Sequence, residues 1–284
     1  MKTVTLNNGV EMPTVGFGVF QIQDAETTQQ VVEEAIKTGY RLIDTAQAYG
    51  NEEAVGKAVR ASGVPREELF ITTKLWISDM SYDGAKKAFA DSLEKLELDY
   101  VDLYLLHQPI GDTFGAWRAL EELYSEGKIR AIGVSNFKPD QLANLSLFNH
   151  IVPAVNQIEL HVFNQKEDDR NYMAAKGVQT QSWGAFAEGQ YDIFNNPVLK
   201  ELADKYQKTT AQIMLRWQLQ LGVVSLSKSA TPERVRQNFD IFNFELSQED
   251  MTKITSLEKA LTVFADHHAA STVELLAGFV GKSF

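Results

Sequence analysis

The feature that most constrains this chain is a regular alternation along its length. Eight short apolar runs ("TVGFG", "RLID", "ELFITT", "VDLYLL", "RAIGVS", "PAVNQIE", "GVQTQS" and "GVVSLS") are separated by stretches such as "TTQQVVEEAIKTG", "NEEAVGKAVRASG" and "YDGAKKAFADSLEKLELD". In those stretches apolar residues recur every three or four positions, the period of a helix with one buried face. The runs themselves are near-continuous apolar segments, as expected of strands buried on both sides. Eight strand and helix units without a mid-chain linker, low-complexity segment or close repeat predict a (β/α)8 barrel. An open doubly wound sheet is the competing fold. It is disfavoured because no GxGxxG follows the first strand, where "VGFGVF" has the wrong spacing.

Ahead of the alternation, "VTLNNGVEM" reads as a β-hairpin turning at Asn8 and Gly9. Asn51 is expected to cap the second helix and Thr231, before Pro232, to open a late one, while Gly39 and Gly63 end others. With 284 residues, 44% of them hydrophobic, the material suffices for one large domain spanning residues 1–284. The net charge of −11 opposes a nucleic acid or an anionic membrane as partner. The absence of cysteine excludes thiol catalysis and disulfides. "MKTVTLNNGVEMP" has no apolar signal core and no window approaches a membrane span, so a cytoplasmic protein is expected. Neither a heptad pattern nor an apolar surface stripe is evident, which makes a monomer the default.

In such a barrel, chemistry gathers at the C-terminal ends of the strands. Asp44 ends the second strand, Lys74 the third and His107 the fourth, and Tyr49 lies in the loop after the second. Each alone has an ordinary structural reading: a loop-binding carboxylate, a rim ammonium, a satisfied histidine, a packed ring. Together they make a proton-transfer site. An ammonium beside a phenol favours the phenolate, and a carboxylate keeps that ammonium charged. The expectation is therefore a Tyr49 hydroxyl tuned toward neutrality, with His107 orienting a substrate oxygen. No side chain delivers hydride, so reduction of a carbonyl requires a nicotinamide cofactor.

The segments "GFGVFQ", "RLIDTAQAYGNEEAVGKAV", "ELFITTKLW", "VDLYLLHQP", "IGVSNF", "VNQIE" and "SKSATPERVRQNF" resemble the aldo-keto reductases in order and spacing over essentially the whole chain, in particular the bacterial 2,5-diketo-gluconate reductase-like members. The resemblance implies a barrel that binds a nicotinamide dinucleotide without a Rossmann domain. It carries over Asp44, Tyr49, Lys74 and His107 as a catalytic tetrad, with Tyr49 the general acid. It assigns Ser135, Asn136 and Gln157 to the nicotinamide carboxamide and Trp183 to stacking on the ring. Gly184, Ala185 and Phe186 would approach the pyrophosphate, although "GAFAEG" departs from the family's serine–proline–leucine–glycine run. Lys228, Ser229, Arg234 and Asn238 would hold the adenosine ribose and its 2′-phosphate, pointing to NADPH; Ser227 replaces a usual proline there. Phe20, Trp76, His107 and Gln108, with the tail "FADHHAASTVELLAGFVGKSF", would wall a substrate pocket for small carbonyl compounds. His267 and His268 read as loop residues rather than metal ligands. Two alternatives stand beside this reading: a Schiff-base lyase using Lys74, and a cofactor-sensing subunit with little turnover.

Overall fold

The computed structural model describes residues 2–264, 266–278 and 280. Ala265, Phe279 and residues 281–284 of the expected substrate tail lie outside them. Every one of the eight runs forms a strand: β3 (Val15–Gly18), β4 (Leu42–Asp44), β5 (Phe70–Leu75), β6 (Val101–Leu106), β7 (Ile129–Ser135), β8 (Val155–Glu159), β9 (Gln179–Trp183) and β10 (Val224–Ser227). All neighbours are parallel, and β10 pairs with both β9 and β3, closing the barrel. The first two strands, β1 (Thr3–Thr5) and β2 (Glu11–Pro13), form the antiparallel hairpin, with Gly9 at φ 85° in its turn. Leu6 and Met12 pack from this hairpin onto the apolar barrel interior, so it stoppers the N-terminal end.

Helices follow the strands as the periodicity requires. Among them are α1 (Ala25–Thr38), α2 (Glu52–Ala61), α3 (Tyr82–Leu96), α4 (Thr113–Ser125), α5 (Pro139–Leu147), α6 (Glu167–Ala175), α7 (Pro197–Tyr206), α8 (Thr210–Gln220) and α9 (Pro232–Phe239). Two more, α10 (Gln248–Thr255) and α11 (Ala270–Ala277), close the chain. In α2 the buried positions Ala54, Val55, Ala58 and Val59 form the inward stripe. Among the described residues no helix is long and apolar enough to cross a membrane.

Alternation along the strands divides the barrel interior into two levels. Toward the N-terminal end, Leu42, Phe70, Leu103, Leu105, Ala131, Val155, Val224 and Leu226 form one apolar cluster. Gly16 is required there, since a Cβ on it would stand 2.6 Å from the side chains of Leu226 and Leu42. Toward the C-terminal end the buried residues turn polar: Asp44, Lys74, Ser135, Gln157 and Gln181. One expectation is modified. Asn51 does precede α2, but its side chain makes no cap hydrogen bond. Its amide nitrogen donates to the carbonyls of Val19 (3.0 Å) and Ile22 (3.1 Å), and its oxygen accepts from Thr45 Oγ1 at 2.8 Å. A side chain buried between two loops satisfies carbonyls that water cannot reach, rather than the exposed helix end.

Candidate active site

The site is built on three adjacent strands and the loop that follows the first of them. Asp44 is the last residue of β4 and lies in register beside Thr72 of β5, so Lys74, two residues on, projects into the same interior face. The Lys74 ammonium is fully buried and donates to Asp44 Oδ1 at 2.5 Å, to the Thr45 carbonyl at 2.9 Å and to the Tyr49 hydroxyl oxygen at 3.4 Å. Tyr49 is delivered by a short 3-10 turn, Gln47–Tyr49, ended by Gly50 at φ 69°. That turn is pinned at its start by Gln47, which donates to Asp79 Oδ2 (2.7 Å) and accepts from the Trp76 backbone N–H (2.9 Å). Asn51 pins it at its end. His107 follows β6 directly, its ring 5.6 Å from Tyr49 and 5.0 Å from Trp76 between centroids. The three residues named from strand ends and Tyr49 from its loop therefore meet at one rim.

Electrostatics there differ from the sequence-based expectation in one respect. Burial by itself would lower the Lys74 pKa, but the Asp44 carboxylate at contact distance carries it above the ordinary value, so the ammonium persists. Tyr49 was expected to be lowered by that ammonium. It is instead raised above 10.0, because desolvation of the phenolate outweighs the attraction of Lys74, and the Asp44 charge adds to the effect. His107 lies well below 6.5, through desolvation first and the Lys74 charge second, with a smaller push from His267. The rim thus holds a protonated phenol, a charged ammonium and a neutral imidazole at neutral pH.

Around the tetrad the remaining predicted residues fall on successive strands. Ser135 ends β7 and donates to the Gln157 carbonyl at 2.8 Å. Asn136, at φ 62°, donates to the His107 carbonyl (3.2 Å) and accepts from the Trp183 indole N–H (2.9 Å). Gln157 donates to Asp44 Oδ2 at 2.9 Å, which links the expected carboxamide residues to the tetrad itself. Gln108 is buried next to His107 in the chain, its Oε1 without a partner among the described residues. Phe20 is 40% exposed and lies 5.0 Å from Tyr49, ring to ring, as an apolar lip.

Several observations bear on an extended anionic cofactor. A Cβ added to Gly18, paired with Asp44, would meet nothing within 4 Å, so backbone lines open space beside the tetrad. Gly184 at φ 65° opens the loop after β9, and Ala185, Phe186 and a run of left-handed residues (Ala187, Glu188, Tyr191, Asp192) continue it. Helix α9 starts at Pro232 with no side-chain cap, leaving its first amides free for an anion. Ser229 stays within its turn, accepting from the Thr231 N–H at 3.1 Å. Arg236 is tied to Glu34, whereas no ion pair engages Lys228 or the exposed Arg234 among the described residues. Asn238, one turn on from Arg234, is buried.

The C-terminal tail crosses this rim by contacts that no periodicity in its sequence announced. Glu159, at the end of β8, accepts from Thr262 Oγ1 (2.6 Å) and the Val263 N–H (2.8 Å), and pairs with His161 Nε2 at 3.0 Å. Gln190 donates to the Val263 carbonyl at 2.9 Å, and the Tyr191 hydroxyl donates to that of Thr262. So held, the tail places Phe264 5.7 Å from Trp183 and 6.3 Å from Phe20, and His267 5.8 Å from Trp183. Among the described residues no group of three His, Cys, Asp or Glu side chains is arranged for a metal.

A barrel with this rim matches a known class. The family model described as the aldo/keto reductase family matches residues 14–259. The chain is 50% identical to the glyoxal reductase of Bacillus subtilis (strain 168), covering 90% of this chain and 93% of that protein. It is 44% identical to the methylglyoxal reductase DkgA of Escherichia coli (strain K12), with 90% and 93% covered. Among solved structures, an aldo-keto reductase enzyme from a Medee basin deep-sea metagenome library superposes with a TM-score of 0.91 at 41% identity, covering 94% of this chain and 99% of that one. A Bombyx mori aldo-keto reductase in complex with NADP gives 0.88 at 34% identity, covering 93% and 94%. The chain belongs to the aldo/keto reductase family. It is an oxidoreductase acting on carbonyl groups.

Proposed function

We propose that this protein reduces the carbonyl of small aldehydes, ketones, α-dicarbonyls or keto-sugars to an alcohol, with Tyr49 as the proton donor and NADPH as the hydride source. The observation that carries the proposal is the three-membered contact at the rim: Asp44 holds Lys74, and Lys74 reaches the Tyr49 oxygen at 3.4 Å. Because Lys74 donates to that oxygen, the hydroxyl hydrogen is free to point at a substrate. The raised proton affinity of Tyr49 keeps it an acid, which suits reduction more than oxidation. His107, neutral over the same range, positions the carbonyl oxygen by hydrogen bonding and does not compete as acid. A persistently charged Lys74 is a poor nucleophile, which weighs against a Schiff-base lyase.

The residues present suit NADPH. When bound, it supplies the hydride that no side chain can. Ser135, Asn136 and Gln157 would meet its carboxamide and Trp183 the ring face. The backbone of Gly184, Ala185 and Phe186 would meet the pyrophosphate. Lys228, Ser229, Arg234, Asn238 and the open amides of α9 would meet the ribose and 2′-phosphate. The NADP complex of the Bombyx mori relative supports this class of cofactor. The glyoxal and methylglyoxal reductases among the relatives support α-dicarbonyls as the first substrates to try. Phe20, Trp76 and Gln108, with Phe264 of the tail, would form the walls of the substrate pocket.

The test is to mix the protein with NADPH or NADH and a carbonyl panel and to follow loss of the reduced nicotinamide. Consumption with NADPH and an α-dicarbonyl supports the proposal; tryptophan quenching by NADPH without consumption would replace it with a sensor. Replacing Arg234 by Ala is expected to weaken NADPH about 10- to 100-fold, as loss of a charge-assisted contact would. NADH should be little affected, and equal losses for both would remove the 2′-phosphate assignment.

A further inference from the structure

Two glutamines in the polar level of the barrel form a chain that ends on the tetrad. Gln157 of β8 and Gln181 of β9 are paired in register, and both are buried. An ionised carboxylate only accepts hydrogen bonds, so the Gln157 atom 2.9 Å from Asp44 Oδ2 is its amide nitrogen. The same nitrogen donates to Gln181 Oε1, also at 2.9 Å. An amide nitrogen has two hydrogens, and both are then committed. Gln157 has only its carbonyl oxygen left with which to meet a ligand. Gln181 Nε2, fully buried, has no partner among the described residues, so the accepting oxygen is the part of Gln181 that is in use.

We propose that Gln181 is a positioning residue: by taking one amide hydrogen of Gln157 it holds the other on Asp44 and leaves the Gln157 oxygen as the acceptor for the nicotinamide carboxamide. This rests on the reading of Tyr49 as acid and of Gln157 as a carboxamide contact. The physical effect runs through Asp44. A hydrogen bond donated to a carboxylate disperses its charge. Asp44 makes Tyr49 hold its proton more tightly, whereas Lys74 loosens it. If Gln157 turns away, the Asp44 charge is less dispersed and the phenol becomes a weaker acid. The freed amide then presents either atom to the carboxamide, and cofactor binding loses its single orientation.

The experiment compares Gln181→Met, Gln157→Met and the double variant, reading pH profiles in both directions and the KM for NADPH. Gln181→Met keeps the length of the side chain and removes the acceptor. It is expected to move the alkaline limb, where reduction falls and alcohol oxidation rises, upward by roughly half a pH unit. The KM for NADPH should rise about 3- to 10-fold, the worth of one hydrogen bond. Because Gln181 acts only through Gln157, the double variant should match Gln157→Met alone. A folded Gln181→Met whose limb does not move, or effects of the two glutamines that add, would overturn the proposal. An alkaline limb that survives Tyr49→Phe would instead defeat the assignment of the acid, so the two failures are separable.

Discussion

The lower and upper levels of the barrel interior are made by the same eight strands, yet they follow opposite rules. Below, Leu42, Phe70, Leu103, Leu105, Val155, Val224 and Leu226 fill space around Gly16, through contacts set by volume and shape rather than by paired partners. Above, Asp44, Lys74, Gln157 and Gln181 bury polar groups whose partners are individually specified. The first level gains stability from area removed from water. The second spends some of it, since buried charges must be paired to be tolerated at all. The difference shows how the fold separates holding itself together from doing chemistry along a single strand, as β4 does between Leu42 and Asp44.

That separation can be broken most severely at Lys74, which belongs to both accounts. Lys74→Met strands the Asp44 carboxylate, and we expect a loss of about 3–5 kcal/mol in unfolding free energy together with most of the turnover. Denaturant melts and NADPH-consumption assays on the same sample would reveal whether the two losses occur together. Tyr49→Phe should sharpen the contrast. Turnover is expected to fall on the order of 10²- to 10⁴-fold, with cofactor binding and melting temperature unchanged. Near-normal kcat would remove Tyr49 from its role. In the lower level the signature inverts. Gly16→Ala introduces a methyl 2.6 Å from Leu226 and Leu42, and should cost about 1–3 kcal/mol while leaving kcat per folded molecule intact. The smallest effect concerns pH. With Tyr49 raised and His107 well below 6.5, neither group titrates near neutrality, so reduction should be constant between about pH 7 and 9. A break near neutrality would show that one of the two is displaced by substrate or cofactor.

The strands were legible because each is an apolar run bounded by turn residues, and the meeting of Asp44, Lys74 and His107 at one rim because three successive runs end in polar groups, although each alone has an ordinary structural reading. Tyr49 was legible as a residue but not as an acid of a given strength. Lys74 and desolvation push its proton affinity in opposite directions, and only the depth of burial decides between them. Gln47 and Gln181 were not singled out in the sequence, and Asn51 was read only as a helix cap. An isolated amide carries no local pattern, and two of these residues act on partners far along the chain: Gln47 on Asp79, and Asn51 on Val19 and Ile22. The third, Gln181, matters only through its neighbouring strand. Glu159 read as the end of a strand, and its grip on Thr262 and Val263 depends on a tail whose path no periodicity predicts.

That grip has a consequence for how such an enzyme changes its diet. The segment carrying Phe264 is held by the Glu159 carboxylate, with Gln190 and Tyr191 as side stays and the Phe163 carbonyl accepting from the Leu261 N–H just before it, and shares no hydrogen bond with Asp44, Lys74 or Tyr49 among the described residues. The part carrying Phe264 and His267 is in effect an interchangeable jaw on a fixed vice. On the proposed reading of Phe264 as a substrate wall, grafting the segment after Val263 from one relative to another would change which carbonyl is taken while Asp44, Lys74 and Tyr49 keep their hydrogen bonds, and the small push of His267 on His107 is exchanged with it.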